Sequence, residues 1–255
     1  MQRKPTLCVP SPRFRIIGID KLLQPLTTPV FGKDVVYDIP NEKFMEQKRF
    51  VKVGLSTDNL RAYVGMIEDE VEEFLNKDAS FGTYQRGDIN EWGQFDVVKV
   101  LQEITILTAS RTLQGKEVRG NLDKGYAALY NDLDGGFTPI NWMMPNLPLE
   151  SYRRRDRAQK KMSDFYVDII KKRRSGQTDE VCFHLLHPLT ELILALQFDH
   201  DMIAALLEQS YRNGEKLKDH EIAHIMIALL MAGQHTSSAT GSWTLLHLAH
   251  SPEIA

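Results

Sequence analysis

The sequence predicts one mostly α-helical domain, or part of one. Apolar residues recur at helical spacing in several long segments, whereas the alternating patterns of strands are sparse. No internal repeat is evident, and no linker divides the 255 residues. A hydrophobic content of 42% supplies enough apolar material for a sizeable core, so we expect a folded chain rather than a disordered one.

The first elements follow a proline-rich start. Residues 26–40 carry Pro29, Gly32 and Pro40 around short apolar runs, which predicts an irregular loop. From Ser56 the apolar residues fall at helical spacing, and this pattern predicts a capped amphipathic helix that ends near Asn76.

Two further helices and a connection are predicted in the middle of the chain. Residues 95–113 contain no proline or glycine and have a broad apolar face, so we expect a well-buried helix. Glycine, proline and aromatic residues between positions 135 and 148 indicate an ordered but non-helical connection. A long charged helix then runs from about Ser151 to Arg174.

The last predicted helix carries an irregularity at its centre. Asp219 is placed to cap it, and it runs past Leu246, hydrophobic nearly all round, as is typical of a helix in the core of a large domain. Gly233 within it costs about 1 kcal/mol relative to alanine. Thr236 can hydrogen-bond to a carbonyl one turn earlier and bend the helix, so we expect a kinked turn that lines a cavity. The alternative is that His235 is a hydrogen-bonded core histidine and Thr236 a packing residue.

Charge and cysteine content exclude several classes of function. The 31 basic and 34 acidic residues give a net charge of -3, so a nucleic-acid partner is not expected. Cys8 and Cys182 are the only cysteines, and no Cys/His spacing suggests a zinc site. The longest apolar runs are far shorter than the ~20 residues of a membrane span, so no membrane anchor is expected in this chain.

The irregular helix resembles the central helix of cytochromes P450. The sequence A-G-Q-H-T at Ala232 to Thr236 is similar to the oxygen-activation motif of that family, with histidine at the acid position as in sterol 14α-demethylases. The similarity extends to the stretch H-E-I-A-H-I-M-I-A-L-L-M before it, to residues 26–52, to T-A-S-R-T-L-Q-G-K-E-V-R at 108–119, and to G-F-T-P-I-N-W. The sequence F-T-P-I-N resembles that of fungal members more than that of animal members.

The resemblance implies a partial cytochrome P450 fold that runs from the substrate loop to the central oxygen-binding helix. It implies a haem monooxygenase in ergosterol biosynthesis that removes the 14α-methyl group of lanosterol or eburicol in three oxidations, as formate. Electrons would come from NADPH through cytochrome P450 reductase, and azole inhibitors would bind the same site. The complete enzyme would lie at the endoplasmic reticulum membrane, on its cytosolic face.

The resemblance also assigns roles to individual residues. Gly233, His235 and Thr236 would be catalytic, the last two supplying protons to the dioxygen being reduced, a role that suits an imidazole near neutral pH. Tyr37 and Lys48 would contact the haem propionates. Ala232 would also be a cofactor-binding residue. The sterol cavity would be lined by Leu26, Thr27, Phe31, Tyr37, Phe137, Pro139 and Met231. Without the resemblance, Lys48 reads as a surface lysine, Tyr37 as a half-buried loop aromatic, and Phe31 and Phe137 as core aromatics.

Three features depart from the family pattern. Neither Cys8 nor Cys182 lies in the context of a haem-ligand cysteine, so no residue of the chain is expected to bind the metal, and we expect the haem-ligand half to be absent and this chain to be inactive by itself. Residues 1–24 and 181–198 are atypical within a single partial domain of residues 1–255. They suggest translated introns or misjoined exons, or, for 181–198, a genuine apolar insertion. The competing function is a non-catalytic helical fragment or interaction protein derived from such an enzyme.

Overall fold

The computed structural model describes residues 19–87, 91–121, 124–144, 147–175, 201–251 and 254. The atypical segment 181–198, both cysteines and most of the atypical start therefore lie outside the described residues. Helices dominate the described part, and its β-structure is an isolated antiparallel bridge between Ser210 and Lys216. The predicted mainly α-helical class is confirmed.

The helices are numbered in chain order. They are α1 Ile19–Phe31, α2 Asn41–Gly54, α3 Thr57–Lys77, α4 Gly82–Arg86, α5 Val97–Ala109, α6 Lys116–Gly120, α7 Lys124–Asp134, α8 Pro139–Met143, α9 Glu150–Arg174, α10 Met202–Leu207 and α11 Asp219–His250. Short 3₁₀ turns occupy Val36–Asp38 and Ala79–Phe81, and a π-helical turn at Ser110–Gln114 extends α5. No helix in the described part is long and apolar enough to cross a membrane.

Local capping explains where several helices begin. Ser56 accepts the Asn59 N–H at 3.4 Å before α3, and Asp96 accepts from Val98 and Lys99 before α5. These side chains satisfy amide groups that have no partner within the first turn. At α11 the predicted cap is wrong, because Asp219 is already helical and the flanking residue is Lys218. The Lys218 N–H donates to Glu221 at 2.9 Å, so the glutamate performs half of a capping box.

The core lies on the first half of α11, a helix that packs against α9 and α5. Ile222, Met226 and Ile227 are fully buried there, and α9 contributes Met162 and Ile170. Each such side chain contributes about 1.5–3 kcal/mol through removal from water. The predicted burial of α11 is confirmed for this half of the helix.

The second half of α11 and parts of α5 are more exposed than predicted. On α11, Trp243 is 63% exposed and Leu246 is 58% exposed. On α5, Val98 is 48% exposed, although Val100 and Ile106 are buried. Neighbouring helices cover α5 along the side that meets α3 and α11, so its broad apolar face is buried only in part. The prediction of a well-buried helix over 95–113 is wrong to that extent.

Two of the predicted irregular segments contain helix. Residues 26–31 belong to α1, which includes both Pro25 and Pro29, so only the stretch after Phe31 is irregular. The connection from 135 to 148 includes the short helix α8. In α1 tertiary contacts outweigh the local effect of proline, since this helix packs against α9, α8 and the turn after it. Pro139 is the first residue of α8, a position at which proline is compatible with a helix.

Candidate functional site

The motif Ala232 to Thr236 lies in an uninterrupted stretch of α11, at the point where burial gives way to exposure. Met231 is 4% exposed and belongs to the core, whereas Ala232, His235 and Thr236 are exposed. A methyl group added at Gly233 would meet no atom within 4 Å outside its own helix turn. The motif therefore presents an open surface on which another molecule can approach the helix backbone.

The Thr236 hydroxyl makes the predicted bond to the preceding turn. It donates to the Ala232 carbonyl at 2.8 Å and lies 3.3 Å from the Gly233 carbonyl. The same pattern recurs at Ser238, Thr240, Ser242 and Thr244, whose hydroxyls each donate to the carbonyl four residues earlier. These bonds leave each hydroxyl oxygen able to accept a further hydrogen bond.

Thr236 also lines a groove beside α5, as the predicted cavity-lining turn requires. Leu101 of α5 forms the opposite side, and Thr240 and Gly241 continue the groove along α11. A methyl group at Gly241 would come within 3.1 Å of Leu101, so a glycine permits the two helices to lie this close. The groove is largely apolar and opens toward solvent in the described part of the chain.

His235 pairs with an aspartate that the sequence did not single out. Its Nε2 lies 2.6 Å from Oδ1 of Asp134, the last residue of α7, and both side chains are partly exposed. The carboxylate can only accept, so Nε2 carries the proton and Nδ1 remains available for another partner. The pair links solvent to the motif, which is the arrangement that proton transfer requires. The sequence feature that could have drawn attention to Asp134 is the run D-L-D-G-G, which comes immediately before F-T-P-I-N.

Tyr37 and Lys48 converge on Phe44. The rings of Tyr37 and Phe44 are 6.1 Å apart, and the Lys48 Nζ lies 4.5 Å from the centre of the Phe44 ring. Within the described residues, neither the Tyr37 hydroxyl nor the Lys48 ammonium has a hydrogen-bond or ion-pair partner. Two donors near one another are therefore free to bind an anionic group.

The predicted cavity residues fall into two environments. Phe31 and Phe137 contact each other with ring centres 5.6 Å apart, and Phe137 and Pro139 are exposed. Thr27, by contrast, is buried with its hydroxyl donating to the Leu23 carbonyl at 3.1 Å, and Leu26 beside it is half-buried. Their role in lining a sterol cavity stays a prediction.

The segment that carries Tyr37 has a demanding backbone conformation. Gly32, Asp34 and Val36 all have positive φ, at 103°, 64° and 54°. This region is unfavourable for a β-branched residue such as Val36, and each such residue costs on the order of 1–3 kcal/mol. Contacts from elsewhere must hold the segment in place.

Comparisons with known proteins agree with this architecture. The family model "Cytochrome P450" matches residues 13–255. Curated relatives include the lanosterol 14-alpha demethylase of Mycosarcoma maydis, 57% identical over 229 residues, which are 90% of this chain and 38% of the relative. The lanosterol 14-alpha demethylase erg11 of Schizosaccharomyces pombe is 50% identical over 90% of this chain and 41% of its own length.

A third relative, the sterol 14-alpha demethylase CYP51A of Gibberella zeae, is 47% identical over 95% of this chain and 43% of its own length. The chain thus spans about two-fifths of the length of the curated relatives that it matches. Among solved structures, the retinoic acid bound cyanobacterial CYP120A1 superposes with a TM-score of 0.67 at 18% identity, over 90% of this chain and 45% of that one. That likeness concerns the fold alone.

Proposed function

This chain belongs to the cytochrome P450 family, and from that membership we propose that it is a piece of a fungal-type sterol 14α-demethylase. The observation that carries the proposal is the A-G-Q-H-T motif, which lies on the open face of a long central helix in a chain 57% identical to a lanosterol 14-alpha demethylase. The proposed reaction is oxidative removal of the 14α-methyl group of lanosterol or eburicol.

The residues present fit a haem with carboxylate side chains. Tyr37 and Lys48 offer two unpaired donors around Phe44, and this set suits one propionate better than a neutral ligand. Ala232 has only a methyl side chain and Gly233 has none, so a flat cofactor can come close to α11 at this point. Haem, when bound, supplies the oxidation chemistry.

His235 and Asp134 are proposed to move protons into the reaction site. Asp134 is in contact with solvent and accepts the hydrogen bond from Nε2–H of His235, so it fixes the orientation of the imidazole and links it to solvent. The Thr236 hydroxyl is oriented by its bond to the Ala232 carbonyl and keeps lone pairs to accept a hydrogen bond from a neighbouring donor. General acid catalysis of this kind contributes typically 10²–10⁴-fold to a rate.

The remaining proposals concern the whole enzyme. Phe31, Tyr37, Phe137, Pro139 and Met231, with Leu26 and Thr27, are proposed to contact the sterol, and azole inhibitors to bind in the same cavity. Electrons are proposed to come from NADPH through cytochrome P450 reductase, at the cytosolic face of the endoplasmic reticulum membrane. These assignments rest on the similarity to the curated relatives.

The test is to complete the chain with the C-terminal part of the Mycosarcoma maydis relative and to measure lanosterol demethylation. His235→Ala and Thr236→Ala are expected to lower turnover by about 10²-fold or more. His247→Ala and Thr244→Ala are matched controls, since they remove the same groups from α11 two or three turns away.

Outcomes are distinguished by the reduced carbon-monoxide spectrum, which reports whether each variant holds its haem. A normal spectrum with unchanged turnover in both His235→Ala and Thr236→Ala would contradict the proton-transfer role. A normal spectrum with no demethylation of any sterol by the unmutated enzyme would contradict the proposed reaction.

A further inference from the structure

The segment Gly32–Asp38, named here the Tyr37 segment, lies against the first turns of α11. Its three positive-φ positions mean that the isolated chain has no local preference for this shape. Local bonds satisfy its Gly32, Asp34 and Asp38 N–H groups. The Lys33 and Asp34 carbonyls accept from the side chains of His224 and Gln47, and the Asp34 carboxylate bonds to His220. Those side chains therefore determine where Tyr37 lies.

His224 supports the first part of the segment. Its Nδ1 lies 2.8 Å from the Lys33 carbonyl, and its Nε2 lies 3.2 Å from the Ser163 hydroxyl of α9. A carbonyl only accepts, so Nδ1 donates and Nε2 accepts from Ser163. A methyl group at Gly32 would lie 2.5 Å from the imidazole ring, so the segment packs directly on this histidine. Burial lowers the pKa of His224, in keeping with a neutral ring.

His220, one turn earlier on α11, supports the next residue. Its Nε2 lies 2.9 Å from Oδ2 of Asp34, and the Asp34 carbonyl accepts from Gln47 at 3.0 Å. The Asp34 N–H donates to the Asp38 carboxylate at 2.8 Å, which closes the turn that presents Tyr37. The amide, the carbonyl and one carboxylate oxygen of Asp34 are thus engaged.

We propose that His220 and His224 are positioning residues that hold the Tyr37 segment on α11 and so fix the Tyr37 hydroxyl for the haem carboxylates. The inference rests on the role proposed above for Tyr37. It links the cofactor contact to the same helix that carries the A-G-Q-H-T motif, two to three turns further along.

A metal site would be the other reading of two histidines four residues apart that face an aspartate. The hydrogen bonds argue against it. Both nitrogens of His224 are already used, one as a donor to Lys33 and the other as an acceptor from Ser163, so the ring has no lone pair to offer.

The test uses pairs of amide substitutions in the completed enzyme, because asparagine places its amide nitrogen near the Nδ1 position and glutamine near Nε2. His224→Asn retains the donor to Lys33, whereas His224→Gln loses it. At position 220 the order reverses, because the bond to Asp34 uses Nε2: His220→Gln retains it and His220→Asn loses it. Each pair has the same chemistry and differs in which bond survives.

The first readout is amide hydrogen exchange in the Tyr37 segment, where the Gly32, Asp34 and Asp38 N–H groups are hydrogen-bonded. His224→Gln and His220→Asn are expected to speed exchange there by about tenfold, the effect of losing one hydrogen bond to a buried group. The paired variants should stay near the unmutated rate, and exchange in α9 should be unchanged in all four. The second readout is the rate of haem loss to an acceptor protein, which should rise in the same two variants.

Equal exchange in the two members of each pair would overturn the proposal, and so would faster exchange in α9 that matches the segment. Faster exchange without faster haem loss would also overturn it, provided that Tyr37→Phe releases haem faster. If Tyr37→Phe retains haem normally, the role proposed for Tyr37 fails, while the exchange pattern still decides whether the histidines hold the segment.

Discussion

Gly233→Ala is expected to make the protein more stable and less active. Gly233 lies inside α11, where glycine costs about 1 kcal/mol relative to alanine because its backbone loses more conformational freedom on folding. The added methyl group meets nothing within 4 Å, so no clash offsets this gain. We therefore expect the free energy of unfolding to rise by about 0.5–1 kcal/mol.

Activity should respond in the opposite direction, because the methyl group occupies the space that the proposal reserves for the reacting molecules. The assays are urea unfolding and lanosterol demethylation in the completed enzyme. Gly65→Ala is the matched control: Gly65 also lies within a helix, α3, and a methyl group added there would meet no atom within 4 Å outside its own helix turn. It should give the same gain in stability with unchanged turnover.

Two results would refute the reasoning. A loss of stability in Gly233→Ala, with the expected gain in Gly65→Ala, would mean that the open space beside Gly233 does not exist in the folded enzyme. A gain in stability with full turnover would mean that the space exists but the reaction does not use it.

Three other predictions follow from contacts elsewhere in the chain. Asp134→Asn should lower demethylation by about tenfold or more at unchanged sterol affinity, because an amide cannot take up and release a proton as a carboxylate does; equal turnover would contradict this. Arg173→Met should destabilise the chain by about 3–5 kcal/mol in urea unfolding, because it leaves the largely buried Asp201 carboxylate without its bidentate partner. Arg173→Met with Asp201→Asn should recover part of the loss, since the amide carries no unpaired charge and can still cap α10. Burial lowers the pKa of His224, so the folded state binds fewer protons there than the unfolded state. Stability should therefore fall as pH drops below about 6.5, and the fall should be smaller in His224→Asn.

Long elements with local signals were predictable from the sequence. The charged helix expected from Ser151 to Arg174 is α9, and the helix expected from Ser56 is α3 with Ser56 as its cap. Capping and helical spacing act within a few residues of one another, so a sequence pattern contains them fully.

Helix α1 was not predictable in the same way, because its stability comes from contacts with distant segments. Pro25 and Pro29 predict a break, yet both lie within the helix. Trp142, 120 residues away, donates its indole N–H to the Leu22 carbonyl at 2.7 Å, and Thr27 donates to Leu23. The carbonyls that lose an amide partner to Pro25 and Pro29 are those of Lys21 and Pro25, so the Trp142 bond does not replace a missing bond. It ties the helix to a distant segment that only the folded chain brings close.

Asp134 shows the same limit of prediction from sequence within the candidate site. The motif itself identified His235, because the motif is local, but the carboxylate that orients it comes from a residue 101 positions earlier. Its place depends on the turn after α7, where a methyl group at Gly136 would meet Arg155 and Val30 at less than 3 Å. Packing against α9 and α1 therefore sets the direction in which α7 ends, and with it the distance between Asp134 and His235. The motif specifies the chemistry, whereas contacts outside it set the geometry that the proton transfer needs.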